Sequence, residues 1–405
     1  MGYTKDAVKG ISWITGLRGV TRVISYVRTA IIARILSPSQ FGIFSITTII
    51  LSLLEIITET GINTFLIQHD EDIEKYLNTA WVLSILRGFL IALCIFVCAP
   101  FIASFFRTPD ATLLIRVVSV VPLLRGFINP AIVRFQKDLK FHKEFYYRVS
   151  IFFVESIVSI VMVFLLASPL ALVWGLIAGA LFEVTISYLY VHPLPKFSFD
   201  YVLGKHILHR GKWLTLTGIF SYLFHNGDNI VVGRVLGASS LGIYDMAYKL
   251  STLPITEVSV VINQVTFPVY VKIGEERKRL WRAFLRTLLL VTVVSVPIGI
   301  ILIFFAKEVV LIVLGPKWFA AIPVLKVLAV FGVVQAIAST ANALFMGLRK
   351  QEYVTGITLS GLTVLAIIIL PFVYYKGLIG VGYAVTIATI ATVPVVCYYL
   401  WRVFR

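Results

Sequence analysis

Ala33-Arg34-Ile35-Leu36-Ser37-Pro38-Ser39-Gln40-Phe41-Gly42-Ile43-Phe44 decides the architecture, because it returns as Gly233-Arg234-Val235-Leu236-Gly237-Ala238-Ser239-Ser240-Leu241-Gly242-Ile243-Tyr244. Arg34 answers Arg234, Leu36 answers Leu236, Ser39 answers Ser239, Gly42 answers Gly242, and Phe44 answers Tyr244. In both copies an apolar run ends at an arginine, a short Gly/Pro/Ser turn follows, and a second apolar run begins. The unit is a helix hairpin used once in each half of the chain. Two copies this far apart point to a duplicated half rather than to a solenoid.

Composition fixes the solvent. Of 405 residues, 59% are hydrophobic and 14% charged, whereas soluble domains sit near 45–50% apolar and about 25% charged. With a mean hydropathy of +0.93 and recurrent apolar runs long enough to cross about 30 Å of hydrocarbon, the chain is a polytopic membrane protein. Its spans are helices, since lipid offers no partner to an unpaired backbone N–H or C=O. The net charge of +16 is spread between apolar runs, which suits anionic lipid headgroups and excludes a nucleic-acid patch. Cys94, Cys98 and Cys397 all fall inside apolar runs, so no disulfide framework is expected.

About twelve spans are expected, roughly 11–36, 41–66, 78–104, 111–134, 146–167, 172–192, 213–235, 241–266, 283–305, 319–346, 354–374 and 381–401. With the N-terminus inside, inner connections carry bases such as Lys137, Lys140, Lys143, Lys205, Arg277 and Lys350, and outer ones only Arg107, Lys307, Lys317 and Lys376. That asymmetry places both termini in the cytoplasm of a cell (inner) membrane protein. Residues 1–192 form an N-terminal six-helix bundle, 193–212 a cytoplasmic amphipathic linker lying in the membrane surface, and 213–405 a C-terminal six-helix bundle. Six spans separate the repeated hairpins, so the halves run parallel, around a central cleft.

Charges within the spans mark function, because an arginine at mid-membrane costs about 2.5–3.5 kcal/mol on insertion scales. Arg18, Arg22 and Arg28 fall within an arc of about 120° at 100° per residue, while Arg34 points away at the outer end and reaches headgroups. Those three are the expected substrate-binding residues, lining a water-filled cavity that attracts anions. The repeat sets Asp228 at the depth of Arg28, so Asp228 joins that site and pairs with Arg28 across the cleft, unless each pairs locally in its own bundle. Glu55 and Glu59, one turn apart, either bind a coupling cation or proton or neutralise helix-one arginines; Asp228 is a third candidate for ion coupling. Asp245 and Lys249 form a local i,i+4 pair. Arg87, Arg116, Arg125, Glu155 and Glu183 stand singly through spans three to six, and the last four spans are scaffold.

Enzymatic chemistry finds no foothold. There is no phosphate-binding loop, no metal-ligand spacing, no Gly-x-Ser-x-Gly, and no loop long enough for an external catalytic domain, so no metal or cofactor is expected beyond a coupling H+ or Na+. Over nearly its whole length the chain resembles the bacterial polysaccharide flippases of the multidrug/oligosaccharidyl-lipid/polysaccharide exporter superfamily, most of all the colanic-acid and teichuronic-acid exporter branch. The hairpin motif carries this, with Phe65-Leu66-Ile67-Gln68, Arg134-Phe135-Gln136-Lys137-Asp138-Leu139, Asp228-Asn229-Ile230-Val231-Val232-Gly233-Arg234, Leu241-Gly242-Ile243-Tyr244-Asp245 and Gly315-Pro316-Lys317-Trp318.

Arg22-Val23-Ile24-Ser25-Tyr26-Val27-Arg28 also resembles the paired cavity arginines of the lipid-linked peptidoglycan precursor flippases, which gives Arg22 and Arg28 the role of meeting a substrate pyrophosphate. Thr29 and the Leu54–Glu55 region depart from that pattern, implying a different headgroup or coupling ion. The resemblance implies two six-helix bundles, alternating access, a polyprenyl-pyrophosphate-linked oligosaccharide as substrate, and polysaccharide polymerase and glycosyltransferases as neighbours. A cation-coupled multidrug exporter of the same fold is the alternative, with a membrane glycosyltransferase or polymerase behind it.

Overall fold

A computed structural model describes the backbone of residues 2–58, 66 and 74–405, and the side chains of these except 2–9, 11 and 206–217. Among the described residues every regular element is helical. The elements are α1 (Gly2–Ile35), α2 (Pro38–Ile57), α3 (Glu74–Phe105), α4 (Ala111–Val118), α5 (Val120–Gly126), α6 (Arg134–Lys137), α7 (Phe141–Leu166), α8 (Leu170–Tyr190), α9 (Tyr201–Lys272), α10 (Arg277–Phe304), α11 (Ala306–Val313), α12 (Ala321–Gly347), α13 (Gln351–Ala391) and α14 (Val393–Phe404).

The repeated motif folds as its sequence dictates. Ser37 caps α2 in a reciprocal box: its hydroxyl accepts from the Gln40 N–H at 3.4 Å, and Gln40 Oε1 accepts from the Ser37 N–H at 2.9 Å. Pro38 opens the helix, where its missing N–H costs nothing. At the equivalent place in the second half, Gly237 breaks α9 with φ 84° and ψ 173°, a left-handed conformation that a side chain would strain. Ile32 and Val232, Phe41 and Leu241, and Gly42 and Gly242 are buried in both copies. The duplication is therefore one of packing as well as sequence.

Lipid as solvent shows in how the helices face. α7 buries Ser156, Ser159 and Val163 while Phe153, Ile157, Val161 and Phe164 are exposed. Small and polar groups inside with bulky apolar ones outside is the pattern of a helix in hydrocarbon, where close approach rather than hydrophobic burial holds helices together. Gly175 and Gly179 supply that approach on α8: a Cβ on Gly175 would meet the Ser159 hydroxyl and the Glu155 carbonyl, and one on Gly179 the Glu155 side chain. Between α3 and α5, a Cβ on Gly88 would run into the Pro122 carbonyl.

Eight helices among the described residues are long and apolar enough to cross a membrane, or nine if 111–126 and 130–137, bent by 72°, count as one. Two of the eight run for 55 and 54 residues and are broken at Gly237 and at Gly377 (φ 56°, ψ −137°). The expected twelve are thus not reproduced helix for helix. The residues divide into two compact units, Met1–Tyr222 and Leu223–Arg405. In the stretch expected as a linker, 193–212, the backbone lacks regular structure up to residue 200, and from Tyr201 a helix runs without a break up to Gly237. Gly204 and Gly211 do not end it, because neither adopts a positive φ. In the first unit, Leu51, Ile91, Ile95, Leu114, Ile115 and Val173 share a core. In the second, Tyr270, Phe284, Leu344, Phe345, Tyr353 and Ile357 do the same.

Candidate functional site

The N-terminal unit holds Arg28 in a buried ion pair. Its guanidinium donates to Glu155 Oε1 of α7 at 2.6 Å, with side-chain exposures of 19% and 13%. The Phe152 ring lies under the guanidinium at 5.1 Å, adding a cation–π contact. Gly179 makes the room, since Glu155 Oε2 comes within 3.6 Å of where its Cβ would stand. Arg22 is half-buried, and Arg18 and Arg34 are exposed, none of the three being free of interactions.

Asp228 lies in the C-terminal unit, 4% exposed. Its carboxylate accepts the Tyr244 hydroxyl at 2.7 Å and the Asn229 N–H at 2.8 Å. Each of the two charges that the repeat aligns has a partner within its own unit, Arg28 in Glu155 and Asp228 in Tyr244. A small cavity of about 20 Å³ adjoins Asp228, lined also by His225, Tyr248, Gln335 and Thr389. Gln335 Oε1 is buried there without a hydrogen-bond partner among the described residues. The space suits one water or one small cation, and the carboxylate, amide and hydroxyl oxygens suit a hard monovalent ion.

Glu55 pairs with Arg125 of α5 at 2.9 Å, and Arg87 of α3 donates to the Glu55 main-chain carbonyl at 2.5 Å and to the Thr58 hydroxyl at 3.3 Å. Close contact of α3 and α5 at Gly88 and Gly126 brings these arginines to α2. Glu59 lies outside the described residues. Asp245 and Lys249 form the expected i,i+4 pair at 2.8 Å. Of the charges read as standing singly in spans three to six, Arg87, Arg125 and Glu183 line one cavity of about 380 Å³ together with Glu55, Glu144 and Arg148. No group of three or more metal-ligating side chains occurs among the described residues.

Glu155 and Tyr244 are the residues that sequence reasoning passed over. Tyr244 carried a signal, for it stands where the first half has Phe44, just as Asp228 stands where it has Arg28. The two departures from the repeat meet in one hydrogen bond. Glu155 carried none, because its pairing with Arg28 spans 127 positions.

Among the described residues, an all-helical, multi-pass arrangement with ion pairs between its apolar helices defines the class as that of a polytopic membrane protein. The signature of the Polysaccharide biosynthesis protein family matches residues 31–323, and the chain belongs to that family. It is 25% identical over 358 residues to the teichuronic acid biosynthesis protein TuaB of Bacillus subtilis (strain 168), covering 86% of this chain and 73% of that one. It is 24% identical over 354 residues to the lipopolysaccharide biosynthesis protein WzxC of Escherichia coli (strain K12), covering 87% and 72%. Its fold is similar to that of the lipid II flippase MurJ in an inward closed conformation, with a TM-score of 0.79, 17% identity and coverage of 95% and 86%. An inward-facing multidrug resistance MATE family transporter of the MOP superfamily follows at a TM-score of 0.72, 18% identity and 94% of both chains.

Proposed function

We propose that this protein is a flippase that carries a polyprenyl-pyrophosphate-linked oligosaccharide from the cytoplasmic to the outer leaflet of the cell (inner) membrane by alternating access, for surface polysaccharide export. Family membership and the names of its relatives support the substrate class. The observation that carries the chemistry is Arg28, buried in a membrane helix and held by one exchangeable carboxylate at 2.6 Å. A pyrophosphate competes for such a guanidinium on equal terms, with bidentate geometry and more charge. Arg18 and Arg22 extend the positive face towards the cytoplasmic end, so the headgroup meets a graded row of cations while its polyprenyl tail stays in lipid.

In this account the exchange partner of Arg28 is Glu155, and Asp228 serves a separate role. With its small oxygen-lined cavity it is the candidate for a coupling Na+ or H+, and Glu55 and Glu59 are further candidates. Twelve spans follow when the bent pair 111–126 and 130–137 counts as one span, the helices broken at Gly237 and Gly377 count twice, and α1 is taken to cross despite its arginines; both termini then lie in the cytoplasm. Anionic lipids, a polysaccharide polymerase and glycosyltransferases are the proposed neighbours. The test is depletion: cells lacking the protein should accumulate the lipid-linked saccharide on the inner leaflet, and Arg28→Ala should fail to clear it. Clearance by Arg28→Ala at wild-type rate would remove the role given to this residue.

A further inference from the structure

The cavity of about 380 Å³ in the N-terminal unit is not used by the headgroup mechanism. Three arginines and three glutamates line it: Arg87, Arg125 and Arg148, with Glu55, Glu144 and Glu183. Five of the six are engaged. Arg125 holds Glu55 at 2.9 Å, and Arg148 holds Glu144 at 2.8 Å, with the Gln136 amide donating to the same carboxylate at 2.6 Å. Arg87 is spent on the Glu55 carbonyl and the Thr58 hydroxyl.

Glu183 is different. Among the described residues its carboxylate makes no hydrogen bond and no ion pair; only its main-chain carbonyl accepts, from the Tyr147 hydroxyl at 3.5 Å. A bare carboxylate on a membrane helix is an expensive group, and a bound proton removes that cost. Water to deliver the proton has ample room, since one molecule needs only on the order of 10–15 Å³.

Glu183 is also joined to the Arg28 pair. It lies one turn beyond Gly179 on α8, on the same face, and Glu155 comes within 3.6 Å of the Gly179 Cβ position. The groups facing Glu183 are thus Glu55 from α2, Arg87 from α3, Arg125 from α5, and Glu144, Tyr147, Arg148 and Glu155 from α7, with Arg28 of α1 behind Glu155.

We propose that Glu183 is a proton-binding site, supplied by the water of this cavity and linked to the Arg28–Glu155 pair. The link rests on the headgroup role given to Arg28 above; the site itself does not. When an anion draws Arg28 away, Glu155 is left without its counter-charge near Glu183, and the repulsion between neighbouring carboxylates favours a proton on one of them. The proton passes from cavity water to a carboxylate oxygen, and no other bond changes. Linkage then makes anion binding take up a proton and acid strengthen anion binding by the same factor.

Infrared difference spectra of the purified protein between neutral and acid pH, with no ligand added, decide the site. Wild type should show a carboxyl band that Glu183→Gln lacks and that Glu183→Asp shifts but retains; a band unchanged in both variants overturns the proposal. Calorimetric titration with inorganic pyrophosphate, in two buffers of different ionisation enthalpy, decides the link. Wild type should take up close to one more proton per pyrophosphate bound than Glu183→Gln, and equal uptake overturns the link. Failure of pyrophosphate to bind wild type would instead count against the headgroup reading, and the infrared result would still rule on Glu183.

Discussion

The Arg28–Glu155 pair allows a quantitative prediction. Its 2.6 Å contact, with both side chains less than one-fifth exposed, means that neither charge has water as a ready substitute. With charge centres about 4 Å apart and an effective dielectric of about 20, their attraction is about 4 kcal/mol. Removing one partner from a buried pair costs about 3–5 kcal/mol, because the other charge stays behind uncompensated. Arg28→Ala and Glu155→Ala should therefore each destabilise the protein by that much. The double variant leaves no orphan charge and should lose far less than the sum, giving a coupling of about 3 kcal/mol. Equilibrium unfolding in mixed micelles, followed by tryptophan fluorescence, measures all four corners of the cycle. Effects that add to within about 0.5 kcal/mol would show that the two side chains do not pair in the folded protein, and the exchange of Glu155 for a pyrophosphate would fall with them.

Three further outcomes are expected. Tyr244→Phe strips the hydroxyl that Asp228 accepts and should cost about 1–3 kcal/mol, with transport impaired; stability equal to wild type would refute the bond. Gly88→Ala, whose Cβ would strike the Pro122 carbonyl, should destabilise by about 1–3 kcal/mol, whereas Gly227→Ala, with nothing within 4 Å, should not; the same micelle assay compares them, and equal losses would contradict the α3–α5 crossing. After removal of Cys94, Cys98 and Cys397, cysteines at Ser39 and Ser239 should react with an impermeant thiol reagent from outside intact cells and those at Lys205 and Gln351 should not, and the opposite pattern would invert the proposed orientation.

How far the sequence could be read depended on the range of each interaction. The hairpin was legible because its determinants are local: Ser37 and Gln40 close a cap three residues apart, and Gly237 supplies its own backbone freedom. The lipid-facing character of α7 was legible as composition. Arg28 was found because a buried arginine is conspicuous in an apolar run, but its partner was not, since α7 meets α1 only through tertiary packing. The pairing of Glu55 with Arg125 was missed for the same reason. The charged cavity was invisible, because it draws only one or two charged residues from each of several helices that separately look unremarkable.

The central claim is tested most directly by following a lipid-linked oligosaccharide in vesicles. Purified protein would be reconstituted with the fluorescently labelled lipid-linked saccharide of the host, and an impermeant quencher would report the fraction facing outward. Wild type should equilibrate the lipid between leaflets, and Arg22→Ala and Arg28→Ala should remain near the protein-free rate while Arg34→Ala stays close to wild type. Equilibration by Arg28→Ala as fast as by wild type, or none by folded wild type, would contradict the account.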